Sequence, residues 1–78
     1  MSDLLELFVS EECSVYVRRL LEGAIADRAK VRHHFELNRF EVTIEHDENI
    51  GVLQDVLEAA GVGVERMPLA EFAGALRR

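Results

Sequence analysis

The sequence predicts an α+β fold, a βαββαβ sandwich closed by a short C-terminal helix. Three observations predict it. Phe40–Pro68 reads as strand, helix and strand with punctuation at each joint. Val31–His46 alternates apolar and polar residues on both sides of Asn38-Arg39. Leu4–Val9 is a short apolar run that leads straight into a helical stripe.

Taking the elements in order, Leu4–Val9 (LLELFV) has the length of a buried strand and ends at the polar cluster Ser10-Glu11-Glu12. Ser10 is placed to cap a helix, with Glu11 and Glu12 suited to its positive end. That helix is expected to run to about Ala29, with Cys13, Val17, Leu20, Leu21, Ala24 and Ile25 on its inner stripe. Val31–His46 is expected to form a hairpin about Asn38-Arg39. In that register Leu37 faces Phe40, Phe35 faces Val42 and His33 faces Ile44. The other side of the ribbon then carries Arg32, His34 and Glu36 opposite Glu45, Thr43 and Glu41, and a slip of one residue would destroy the agreement.

Asp47 or Asn49 is placed to cap a second helix, with Ile50, Leu53, Val56, Leu57 and Ala60 as its stripe and Gly61 as its stop. Val62–Met67 reads as the last strand. Pro68 suits the first position of a final helix, in which Leu69, Phe72, Ala73 and Leu76 share a face.

This order is the ferredoxin-like plan, with both long helices on one face of an antiparallel sheet. The other face is then open, and Leu4, Phe8 and Met67 are expected on it beside Glu36, Glu41 and Glu45. Exposed Leu and Phe need a cover. The terminal helix carrying Phe72 or a second subunit would supply it, so a homodimer is expected.

The 78 residues make one domain, 1–78, short enough that its stability depends on efficient packing or a partner. One cysteine excludes an internal disulfide and a cysteine-rich zinc site. Fifteen acidic residues against nine basic ones give a net charge of −6, which argues against direct nucleic-acid binding and suits a basic protein partner. No apolar run has the length of a membrane span, and the N-terminus lacks the flank of a signal peptide; a reducing, cytoplasmic setting is expected.

Residues 48–65, with the turn glycine Gly51, then Val52-Leu53 and Ala60-Gly61-Val62, resemble the ligand-loop half of ACT domains. These are regulatory modules that bind amino acids or similar metabolites, usually as dimers. Ile50 stands where that family has proline, and Glu48 where aspartate is common. The resemblance implies a small-metabolite site at Asn49, Ile50 and Gly51, with helix N-terminal amides receiving a carboxylate. The strand, turn, Cys13 and helix at the start, together with Gly63–Pro68, resemble thioredoxin- and glutaredoxin-like proteins, which implies a thioredoxin-like alternative fold and a thiol-redox role for Cys13. Tyr16 stands where a second cysteine would be.

The residues themselves favour quieter roles. Cys13 fits a small apolar position on the helix stripe. His33 and His46 share the apolar face on diagonal positions, while His34 points the other way; no third ligand is evident, so neither a metal site nor a cofactor is expected. Glu36, Glu41 and Glu45 read as a solvated or docking face with no enclosing pocket to tune them for acid–base work. No Walker loop, nucleophile elbow, zinc-hydrolase helix or dinucleotide fingerprint is present. The expected function is a small, acidic, non-enzymatic binding or regulatory module, acting through protein–protein contact or a small metabolite. Its candidate partner surface is Leu4, Phe8, Glu36, Glu41, Glu45, Met67 and Phe72. The alternatives are the Cys13 thiol-redox protein and an acidic inhibitor of a nucleic-acid-binding protein.

Overall fold

Helices occupy both ends of the chain, and four consecutive strands fill the middle. The computed structural model describes residues 3–57 and 63–77. In order, the elements are α1 (Asp3–Glu11), α2 (Val15–Ala26), β1 (Arg32–Glu36), β2 (Phe40–Glu45), β3 (Ile50–Asp55), β4 (Val64–Pro68) and α3 (Leu69–Leu76). The strands form one antiparallel meander, β1-β2-β3-β4. The fold is therefore α+β, and it is neither the βαββαβ sandwich nor its thioredoxin-like alternative.

Two segments overturn the expected order. Leu4–Val9 is helical. Leucine and glutamate are strong helix formers, only Val9 is β-branched, and Leu5 and Phe8 lie three apart and are both buried. Asp3 and Glu6 sit in the first turn, where the dipole favours them. Ser10 does not start a helix; its hydroxyl donates to the Leu7 carbonyl within α1. The N-cap of α2 is Ser14, whose Oγ accepts from the Val17 amide at 3.2 Å. From there α2 runs only to Ala26, with Leu21 and Ala24 buried.

The second correction is Ile50–Asp55, expected as a helix and found as a strand. Its inward residues are Gly51, Leu53 and Asp55, all buried, and Ile50, Val52 and Gln54 alternate with them. Pairing with β2 on one side and β4 on the other fixes it there. Asp47 and Asn49 shape the turn before it. Asp47 Oδ1 accepts from the Glu48 amide, and Asn49 takes the left-handed conformation at φ 58°. The expected stop at Gly61 and the start of a strand at Val62 lie outside the described residues.

The β1–β2 hairpin has the expected register, with His33 opposite Ile44, Phe35 opposite Val42 and Glu36 opposite Glu41. Its turn is not the primed type, since Asn49 is the only described non-glycine residue with positive φ. The residue just after α1 holds it instead. Glu12 Oε1 accepts from the Asn38 amide at 2.6 Å and the Arg39 amide at 3.3 Å. Helix α3 follows β4 directly. Pro68, at φ −56° and ψ 141°, is its N-cap, and Leu69, Phe72, Ala75 and Leu76 are buried.

All three helices pack on one face of the sheet. The core joins Leu5 and Phe8 of α1, Leu21 and Ala24 of α2, and Leu69, Phe72, Ala75 and Leu76 of α3 to Phe40, Val42, Ile44, Leu53 and Met67 of the sheet. Those five strand residues share one face by register. Phe8 stands edge-on to Phe40 at 5.2 Å and stacks on Phe72 at 6.1 Å. Helix α3 thus covers the same face as α1 and α2, and the expected closure of the opposite face by the terminal helix does not occur. No described helix is long and apolar enough to cross a membrane.

Candidate functional site

The uncovered face of the sheet is built by the alternate residues of the same strands. Antiparallel register places Arg32, His34 and Glu36 of β1 beside Glu45, Thr43 and Glu41 of β2. Ile50, Val52 and Gln54 of β3 follow, and then Pro68, Arg66 and Val64 of β4. The face has two halves: β1–β2 is charged and predominantly acidic, and β3–β4 is largely apolar. Val64 is 42% exposed, and Ile50 and Val52 are half-buried.

The acidic half has an internal pattern. At one end Arg32 Nε lies 3.9 Å from Glu45 Oε1. At the other end Glu36 and Glu41 are direct cross-strand neighbours. His34 lies between the ends. Its Nδ1 is 2.8 Å from Thr43 Oγ1 and its Nε2 is 3.2 Å from Glu41 Oε1. Thr43 is buried, so the hydroxyl holds the imidazole from beneath.

The expected partner surface divides sharply. Glu36, Glu41 and Glu45 lie on the open face as expected. Phe8, Met67 and Phe72 do not; each is at most 3% exposed and belongs to the core under the helices. Leu4 is half-buried on α1 and packs against that core.

At Asn49, Ile50 and Gly51 no helix begins, so the amides expected to receive a carboxylate are absent. Asn49 is an exposed turn residue whose carbonyl accepts from the Leu69 amide. Ile50 and Gly51 belong to a central strand. The glycine gives Phe72 close access to the strand: a Cβ on Gly51 would sit 3.3 Å from Phe72 ring atoms, a tight contact. Ala60-Gly61-Val62, the rest of that resemblance, lie outside the described residues.

Cys13 lies in the α1–α2 connection, just before the Ser14 cap, and not inside a helix. Burial pushes its thiol up to about 11, with Glu12 adding to the rise and Arg18 opposing it. At neutral pH it is a thiol, the unreactive form. An open groove runs beside it, lined by Ser10–Ser14, Tyr16, Val17 and Glu36–Asn38. Its carboxylates are partly committed: Glu12 holds the hairpin turn, and Glu11 Oε2 accepts from Arg39 at 3.1 Å.

His33 and His46 do meet, ring to ring at 5.7 Å, but they serve α2. His46 Nε2 is 2.9 Å from the Ala24 carbonyl, and His33 Nε2 is 3.1 Å from that of Asp27. These are carbonyls at the end of α2, where the helix has no internal donors left.

Sequence reasoning missed one polar junction. Asp55 is 1% exposed and accepts from Arg39 Nε and from a terminal guanidinium nitrogen, the latter at 2.8 Å, while the Leu57 amide donates to Oδ1. The hydrogen bonds from Arg39 hold its carboxyl below the usual aspartate value, against the opposing effect of burial. The two residues are distant in sequence and on different sides of a turn, and only the alternation in β3 pointed Asp55 inward.

No protein-family model, curated protein or solved structure matches this chain.

Proposed function

We propose that this chain is a non-enzymatic binding module that presents the helix-free face of its sheet to a basic protein partner. The observation that carries this reading is the division of that face. An acidic half on β1–β2 adjoins an apolar half on β3–β4, so one surface offers both electrostatic steering and area to bury. The net charge of −6 extends the same field beyond the contact. A protein whose own surface normally binds nucleic acid fits the charge requirement, so an inhibitory role is one form of this function. The raised thiol of Cys13 and the absence of a helix start at Asn49 count against the redox and metabolite readings.

Capture from lysate by the wild-type chain and by two face variants tests the proposal. Val52→Asp and Glu45→Lys are each expected to abolish capture of a basic protein, while Tyr16→Ala, on the helical side, retains it. Capture should also weaken as salt is raised. Equal capture by all variants would refute the assignment. Light scattering is the companion measurement: a dimer abolished by Val52→Asp would replace the basic partner with a second copy of this chain.

A further inference from the structure

We infer that His34, Glu36 and Glu41 form a site for a first-row divalent metal ion such as Zn²⁺ on the acidic half of the open face. The site does not depend on the docking reading. One ligand atom from each of the three residues lies within 4.8 Å of the others. His34 Nε2 and Glu41 Oε1 are 3.2 Å apart, close to the roughly 3.4 Å edge of a tetrahedron built on zinc–ligand bonds of about 2.1 Å.

The cross-strand chemistry gives the reason to expect a cation. Like charges directly opposite on neighbouring strands destabilise a sheet. Glu36 and Glu41 are such a pair, and among the described residues neither forms an ion pair with Arg or Lys. The far end of the same hairpin is different, since Glu45 there has Arg32. The histidine is also oriented for ligation. In the tautomer whose Nδ1–H donates to Thr43 Oγ1, the Nε2 lone pair faces the carboxylates and is free for a metal. In the other tautomer Nε2–H donates to Glu41 Oε1, and a metal would displace that proton. One imidazole and two carboxylates at a solvent-facing position suit Zn²⁺ or a neighbouring ion with water completing the shell, in preference to the all-oxygen shells of Mg²⁺ and Ca²⁺. The rival is that His34, as an imidazolium, is itself the cation.

Calorimetric titration of the intact protein with zinc chloride tests the site, in a buffer that does not chelate. Wild type is expected to bind one equivalent. His34→Ala and Glu41→Gln should each weaken binding at least tenfold. Glu45→Gln removes the same charge from the same face without removing a ligand, and it should leave affinity within about twofold, as distant, independent sites do. Zinc should raise the melting temperature of wild type and leave that of His34→Ala unmoved, which also shows that the variant folds. Absence of saturable binding, retention in His34→Ala, or an equal loss in Glu45→Gln would overturn the site. A nitrogen NMR spectrum showing His34 doubly protonated at pH 7 and unchanged by zinc would establish the imidazolium instead.

Discussion

The two faces of the sheet are made from the same four strands and differ in almost every physical respect. One lies under three helices and is filled by Phe40, Val42, Ile44, Leu53 and Met67. Among the described residues its buried carboxylate, Asp55, is met by Arg39 and the Leu57 amide. The other face mixes carboxylates, an imidazole and exposed valine, and it sets two like charges, Glu36 and Glu41, directly opposite each other, with His34 beside Glu41. The covered face is internally consistent, as a stabilising region should be, and the open face breaks a local rule of strand pairing.

The largest break in this contrast comes from Phe8→Ala. Phe8 is fully buried and touches both Phe40 and Phe72, so its loss is expected to cost about 3–5 kcal/mol. A chain of this length holds on the order of 4–12 kcal/mol in total, and denaturant melts should show the variant largely or wholly unfolded. Val52→Thr on the open face should stay within about 0.5 kcal/mol. A cost approaching that of Phe8→Ala would mean that the open face is covered in solution.

Gly51→Val is next. The first carbon of the new side chain would sit 3.3 Å from the Phe72 ring, so the ring must shift by a few tenths of an ångström, and Phe72 is itself stacked on Phe8. A loss of about 1–3 kcal/mol is expected in the same melts. A neutral result would show that α3 yields easily and that the covered face is looser than its packing implies.

The Asp55–Arg39 pair sharpens the contrast through pH. The folded protein holds the Asp55 carboxyl below its ordinary 3.8, so the native state binds this proton less readily than the unfolded chain. The resulting stability is complete above that value and is lost as pH falls through the folded one. Acid melts should therefore show a fall in wild-type stability below 3.8 that is flatter in Asp55→Asn, a variant less stable than wild type at neutral pH. Identical slopes would deny the pair its role.

The smallest effect is expected from Glu36→Gln. Removing one of two opposed carboxylates should stabilise the metal-free protein by about 0.2–1 kcal/mol in thermal melts. Destabilisation instead would mean that Glu36 already has a favourable partner.

The same contrast explains what could be seen in the sequence. The β1–β2 hairpin was legible to the residue, because Phe35, Leu37, Phe40, Val42 and Ile44 alternate symmetrically about Asn38-Arg39 and only one register agrees. The last helix was legible because Pro68 marks its start. Helix α1 was not, since six residues of LLELFV carry too little period to separate a strand from two helical turns. Strand β3 was hidden by coincidence: Ile50, Leu53, Val56 and Leu57 repeat at helical spacing behind Asp47 and Asn49, residues that also cap helices. What makes it a strand is pairing with β2 and β4, a non-local effect that no window reports. Of the candidate surface, Glu36, Glu41 and Glu45 were placed on the open face because they belong to the legible hairpin. Phe8 was misplaced because α1 was read as a strand. Met67 and Phe72 lie in elements of the expected type, but the side of the sheet they face follows from the pairing of β4 with β3, which was read as a helix.

The meander has a kinetic consequence. Every strand pairs with its neighbour in the chain, so the sheet can zip through successive short loop closures. The contact between α1 and α3 joins opposite ends of the chain and carries the largest closure entropy. Stopped-flow folding should accordingly be fast and single-exponential. Val42→Ala in the central ribbon should mainly slow folding, and Phe8→Ala in the late-docking helix should mainly speed unfolding.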